Sequence, residues 1–232
     1  METKIALVTG GNRGIGFAIT QGLLEKGYEV IITSRSLDKA KQAVEKLNSI
    51  GKVIPIELDV ADDNSINKAL ESLRTKVDHL DVLINNAGIY PDEGVNILTI
   101  PRDLLDLTLN ANTFGAIRMV QAFLPLLQKS PDARVINVSS SYGEINGLSA
   151  DVPSYCLSKL ALNGGTIMLA QALRSQKIAV NAICPGWVKT DMGGDSAPRT
   201  PEQGADTAIW LATEAPRNHT GKFWRDRKVI SY

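Results

Sequence analysis

The 232-residue sequence predicts an α/β fold, a single doubly wound parallel sheet of about seven strands with helices on both faces. Three features carry that expectation. Short runs of branched apolar residues alternate with longer stretches of helical period, a glycine-rich turn links the first run to the first helix, and polar residues able to do chemistry gather where the apolar runs end.

The first run occupies residues 4–9, and five more follow at 29–34, 53–58, 82–85, 134–139 and 178–183. Between the first two, Ile15, Ile19, Leu23 and Leu24 form one apolar stripe, with Gly27 placed to end the helix. Ser36 is a suitable cap for the second helix, which turns Ala40, Val44 and Leu47 inward before Gly51 closes it. Ile66, Ala69, Leu70 and Leu73 repeat the pattern in the third. Crossovers between parallel strands are right-handed, which puts helices on both faces and opens a ligand crevice at the carboxyl ends where strand order reverses. Residues 193–201 read as a mobile loop, a helix starts near Pro201, and Gly221-Lys222-Phe223-Trp224 reads as a last strand after which the chain stops. One hydrophobic core can serve a chain of this length, so residues 1–232 are expected to form one domain for cofactor binding and catalysis.

Composition narrows the ligand. Lysine and arginine total 25 against 25 aspartates and glutamates, which removes the basic footprint of a nucleic-acid or anionic-membrane binder and leaves a small molecule. Cys156 and Cys184 have neither metal-ligand spacing nor histidine company, so no metal and no disulfide is expected. The run Ile5-Ala6-Leu7-Val8 is too short for a signal-peptide core or a membrane span, and a cytoplasmic protein is expected.

The turn Thr9-Gly10-Gly11-Asn12-Arg13-Gly14-Ile15-Gly16 follows a strand and opens a helix. Gly10 permits the tight turn, Gly14 and Gly16 permit close approach, and the N–H groups that begin a helix favour a pyrophosphate, with Asn12, Arg13 and Ile15 lining the same turn. At the end of the second strand an acid would select the free ribose hydroxyl of NAD, but the sequence there is Thr33-Ser34-Arg35. Arg35, helped by Arg13, suits a 2′-phosphate, so NADP(H) is the expected cofactor. Asp59-Val60, after the third strand, either borders the adenine or supplies the next helix cap through Asp59.

Tyr155 and Lys159 stand four apart in a segment of helical period, hence on one helix face. A free phenol titrates near about 10, and a neighbouring ammonium draws that value down, which makes Tyr155 a candidate general acid/base. The strand Arg134-Val135-Ile136-Asn137-Val138 delivers Ser139 and Ser140 to the same sheet edge, where a hydroxyl can hold a substrate oxygen. Asn86-Ala87-Gly88 lets backbone lie close to a cofactor across the switch point, and Pro185, Gly186, Val188 and Thr190 offer backbone and a hydroxyl to a nicotinamide amide.

With the glycine turn, Asn85-Asn86-Ala87-Gly88, Ser140, Tyr155/Lys159 and Pro185-Gly186 in this order, the chain resembles a short-chain dehydrogenase/reductase, which has the Rossmann fold. The stretches around the glycine turn and Cys184-Pro185-Gly186-Trp187-Val188-Lys189-Thr190-Asp191-Met192 look most like the NADPH-dependent carbonyl reductases. The resemblance implies a tetrad: Tyr155 as proton donor, Lys159 lowering its pKa and holding the nicotinamide ribose, Ser140 on the carbonyl oxygen, and Asn112 anchoring a water behind Lys159. Ser139 and Asn110 are the rival positions for the last two. It also implies reduction of a small aldehyde, ketone or quinone, or oxidation of an alcohol. The alternative is a catalytically idle NADP(H) sensor, which would need no proton donor. Monomeric carbonyl reductases carry a long insertion between serine and tyrosine, and residues 141–154 are too few to hold it, so the helices around Phe123 and Tyr155 are expected to build a homodimer or homotetramer.

Overall fold

The computed structural model describes residues 3–232. Strands β1 (Ile5–Val8), β2 (Glu29–Ser34), β3 (Val53–Glu57), β4 (Val82–Asn85), β5 (Arg134–Val138), β6 (Ala179–Ile183), β7 (Phe223–Arg225) and β8 (Lys228–Ile230) form one eight-stranded sheet in the order β3-β2-β1-β4-β5-β6-β7-β8. Every pairing is parallel except β7 with β8. Helices α1 (Gly14–Glu25), α2 (Leu37–Leu47) and α7 (Pro201–Thr213) cover one face. On the other lie α3 (Asp63–Arg74), α5 (Gly115–Leu127) and α6 (Pro153–Ala172), with α4 (Arg102–Leu109) leading into α5.

Strand periodicity explains the two layers. Ile5, Leu7 and Ile31 enter the α3/α5/α6 core while Ala6, Val8, Val30 and Ile32 enter the α1/α2/α7 core, as successive side chains of a strand must. The winding reverses between β1 and β4, so the glycine turn and Asn86-Ala87-Gly88 meet over the resulting crevice.

Two local expectations are corrected. The chain does not stop after β7: Asp226 and Arg227, with φ of +49° and +59°, make a mirror-image two-residue turn into the short antiparallel β8. Ion pairs from Asp226 to Arg199 (2.6 Å) and from Arg227 to Asp206 hold that turn without a glycine. Helix α2 is capped by Ser36 as expected, yet it ends at Leu47; Gly51 stands four residues beyond, where a Cβ would meet Leu24 Cδ2 at 3.1 Å.

Between α4 and α5, residues Asn110–Phe114 form a π-helical turn closed by Gly115 N–H to the Asn110 carbonyl. Widened turns of this kind re-aim side chains in mid-helix and recur at functional sites.

Candidate active site

The nucleotide end is built by glycines that have no alternative. Gly10 and Gly14 adopt φ of +64° and +54°, and a Cβ on Gly16 would fall 2.3 Å from the Gly10 carbonyl oxygen and 2.5 Å from Asn86 Nδ2. Asn86 ties the crevice together: Nδ2 donates to the Thr9 carbonyl at 2.9 Å, and the Asn86 and Ala87 amides donate to Thr9 Oγ1. Helix α1 starts with no side-chain cap and no acidic residue in its first turn, which leaves its leading N–H groups to an external anion. These features fit a dinucleotide pyrophosphate.

The flanking residues divide by environment. Ile15 packs into the α1/α2/α7 core, while Asn12 is half-buried on the turn. Arg35 is exposed at the end of β2, as a phosphate-pairing residue would be. Arg13 is also exposed but is ion-paired with Asp191 of the loop after β6. Asp59 is not the helix cap: Asp62 caps α3 by accepting from Asn64 N–H, whereas the Asp59 carboxylate accepts from Ala61 N–H at 2.9 Å. Val60 is buried beneath Gly115, where a Cβ would lie 2.7 Å from the Val60 carbonyl oxygen.

The reacting end converges as the spacing requires. Tyr155 and Lys159 share the inner face of α6, with the Lys159 ammonium 5.5 Å from the Tyr155 ring centre. Ser140 stands near enough to the Tyr155 phenol to oppose the rise in its pKa, whereas Ser139 is buried with its hydroxyl turned to the Lys159 carbonyl, so Ser140 is the serine brought to the site. Asn112, within the π turn, accepts from Ile89 N–H at 2.8 Å and donates to the Ile89 carbonyl and Ser158 Oγ. A Cβ on Gly88 would stand 3.1 Å from Asn112 Oδ1 and 3.6 Å from Lys159 Nζ, which brings three of the expected residues to one point. Asn110 instead donates to the Ala61 carbonyl and accepts from Arg118, a fastening role.

Electrostatics at the site depart from the sequence expectation. Burial pushes the Tyr155 phenol well above its usual value, the Ser140 side chain opposes this in part, and Cys184, Tyr90 and Cys156 add to the rise. Burial also lowers Lys159 to about 8, while its Nζ donates to the Val138 carbonyl at 2.9 Å. In this geometry burial dominates, and Tyr155 holds its proton.

After β6, Gly186 turns with φ +79° and Val188 is buried, bridged to Arg199. Thr190 lies against Gly14, where a Cβ would meet Thr190 Cγ2 at 3.1 Å, so this loop and the glycine turn are opposite lips of one groove. The segment 193–201 is fastened by Trp187 Nε1 donating to the Gly193 carbonyl at 2.7 Å and by Gly193 N–H donating to Thr190 Oγ1. Tyr90 and Tyr142 stand edge-on to Tyr155, at ring separations of 4.9 and 6.2 Å, and wall its phenol with aromatic carbon. One contributor was not visible in the sequence: Asp92, 62 residues before Ser154, accepts three hydrogen bonds from Ser154 and Tyr155.

Among the described residues there is no group of three metal-ligating side chains, and no helix long and apolar enough to cross a membrane.

The family model for short chain dehydrogenases matches residues 4–200. The chain is 32% identical to (+)-neomenthol dehydrogenase of Arabidopsis thaliana, over 98% of this chain and 97% of that protein. It is also 32% identical to carbonyl reductase [NADPH] 1 of Sus scrofa, over 100% of this chain and 95% of that protein. That alignment runs to 280 positions against 232 residues here, so the pig enzyme has segments with no counterpart in this chain. The NADPH-bound carbonyl reductase from chicken fatty liver superposes with a TM-score of 0.90 at 30% identity, covering 100% of both chains. Fold, glycine turn and family match agree: this chain is a short-chain dehydrogenase oxidoreductase, most similar to the carbonyl reductases.

Proposed function

We propose that the protein is an NADP(H)-dependent carbonyl reductase that converts a small aldehyde, ketone or quinone to the alcohol. The observation that carries this reading is the meeting of Ser140, Tyr155, Lys159 and Asn112 beside Gly88 at the crevice between the β1 and β4 ends. Such a cluster has a proton to give and a means of stabilising its loss.

NADPH, when bound, supplies the hydride. The N–H groups opening α1, with Gly10, Asn12, Gly14, Ile15 and Gly16, would hold its pyrophosphate, and Arg35, with Arg13 once released from Asp191, would meet the 2′-phosphate. Asp59 and Val60 would border the adenine, while Asn86, Ala87, Gly88, Pro185, Gly186, Val188 and Thr190 would line the rest. Ser140 orients the substrate oxygen, and Tyr155 donates its proton to it. Burial serves this direction of reaction, because a phenol with a raised pKa stays protonated at neutrality. The Lys159 ammonium then faces the phenolate and stabilises it, and Asn112 fixes the polar environment behind Lys159. The aromatic wall of Tyr90 and Tyr142 favours apolar carbonyl compounds over charged ones.

We read residues 1–232 as one cytoplasmic catalytic domain that works as a homodimer or homotetramer. An exposed apolar strip supports the assembly: Leu107 and Phe114 beside Leu157 and Met168, with Ala161 and Gly164 in the same helical row of α6. Phe123 itself is fully buried, so the strip and not that residue would form the contact.

The deciding experiment assays aldehydes, ketones and quinones with NADPH and NADH side by side, for the wild type and Arg35→Ala. The reading expects turnover with NADPH, a preference over NADH, and loss of that preference in the variant. Wild-type turnover that favours NADH would overturn the cofactor assignment, and absence of turnover with either would overturn the enzyme.

A further inference from the structure

Helix α6 begins without a cap from its own neighbourhood. Val152 at the N-cap offers no side-chain acceptor and Pro153 has no N–H, which makes the Ser154 and Tyr155 amides first-turn donors with no carbonyl inside the helix. Both are met by one carboxylate from the loop after β4. Asp92 Oδ1 accepts from Ser154 N–H at 2.8 Å, Oδ2 accepts from Tyr155 N–H at 2.9 Å, and the Ser154 hydroxyl also donates to Oδ2. The next amide, Cys156, already reaches the Val152 carbonyl at 3.0 Å, so Asp92 completes the turn.

The arrangement is built to keep a charge inside. Asp92 is 3% exposed, and its three donors sit at the positive end of a 20-residue helix, where a carboxylate is favoured. Ser154 Oγ also lies 2.9 Å from Thr108 Oγ1, so the first turn of α6 packs against α4. Tyr90, two residues before Asp92, is the ring that meets Tyr155 edge-on.

We infer that Asp92 is a positioning residue for the proposed reduction: its carboxylate fixes where the Tyr155 backbone, and hence the phenol, stands against Ser140, Lys159 and Tyr90. The inference rests on the reductase reading. Ser140 is carried by the end of β5 and Lys159 is pinned to the Val138 carbonyl, whereas the first turn of α6 takes its place from the distant loop that carries Asp92. Near-attack geometry is demanding, and a displacement of about 1 Å costs on the order of 10²-fold in rate.

The test uses the whole chain with NADPH and a carbonyl that the wild type reduces, comparing Asp92→Ala, Asp92→Asn and Ser154→Ala. NADPH binding stoichiometry and affinity are measured by fluorescence, and turnover is expressed per NADPH-binding site. Asp92→Ala is expected to lose about 10- to 100-fold in kcat with KM and NADPH affinity little changed. Asp92→Asn, which keeps one acceptor oxygen, should fall between Ala and wild type. Hydrogen exchange should show faster exchange at the Tyr155 amide in Asp92→Ala, and if that variant does not fold, Asp92→Asn carries both comparisons. Unchanged kcat per site, unchanged exchange at Tyr155, or a rate loss that merely follows lost NADPH sites would each overturn the inference. A wild type that binds NADPH but reduces no carbonyl ends the reductase reading instead; exchange at Tyr155 then decides whether Asp92 anchors the turn.

Discussion

The Lys159 ammonium sits 5.5 Å from the centre of the Tyr155 ring while bonded to the Val138 carbonyl, so the two groups share one buried face of α6 without forming a direct hydrogen bond in the structure described. The pair therefore acts through the field between them. In the proposed reduction Lys159 would have more to do after the proton leaves Tyr155 than before.

Tyr155→Phe keeps the ring that packs against Tyr90 and Tyr142 and removes only the proton. NADPH affinity should hold, and turnover should fall by about 10²–10⁴-fold. Steady-state kinetics with parallel NADPH titration check this, and near-normal turnover would refute the assignment.

Lys159 gives a pH dependence with a definite sign. Its pKa is about 8 in the fold against an ordinary 10.5, so between those values the unfolded chain holds the proton and the folded chain does not. Stability from this group therefore rises as pH climbs from about 8 to 10.5, and below 8 the fold bears the full cost of a buried ammonium. Lys159→Met should raise Tm at pH 7, by about 2–4 °C for each kcal/mol recovered, with the gain shrinking towards pH 10.5. A gain that is constant across that window in thermal melts would contradict the linkage.

Gly16→Ala places a methyl against the Gly10 carbonyl and Asn86 Nδ2, both part of the turn itself. Relief requires the turn to move, at a cost of about 1–3 kcal/mol. A lower Tm together with weaker NADPH binding is expected; calorimetry showing unchanged affinity would mean the turn is not the pyrophosphate site.

Light scattering at micromolar concentration should find a dimer or tetramer. The pair Phe114→Glu and Met168→Glu puts charge into the exposed strip and should give monomers that remain folded by circular dichroism. A monomeric wild type would remove the assembly proposal.

The sheet and its crevice were legible because strand and crossover periodicity is written locally: Ile19, Leu23 and Leu24, and Ile66, Ala69, Leu70 and Leu73, are buried where their spacing puts them. The glycine turn was legible because each glycine answers a steric demand. Harder to see was anything set by distant partners. Asp92 lies in a loop 62 residues from Ser154 and carries no motif of its own, and β8 is three residues joined by Asp226-Arg227 where a hairpin is usually marked by glycine or asparagine. The pKa of Tyr155 also escaped the sequence, because helical spacing gives the neighbouring ammonium but not the burial that dominates the shift.

The π turn at Asn110–Phe114 shifts the phase of a long rod. Leu107 in the leading half faces outward, Asn112 within the turn stands beside Gly88, and α5 continues into the core with Met119 and Phe123. Each residue of slippage through the turn would swing the Asn112 amide about 100° away from the lysine it backs.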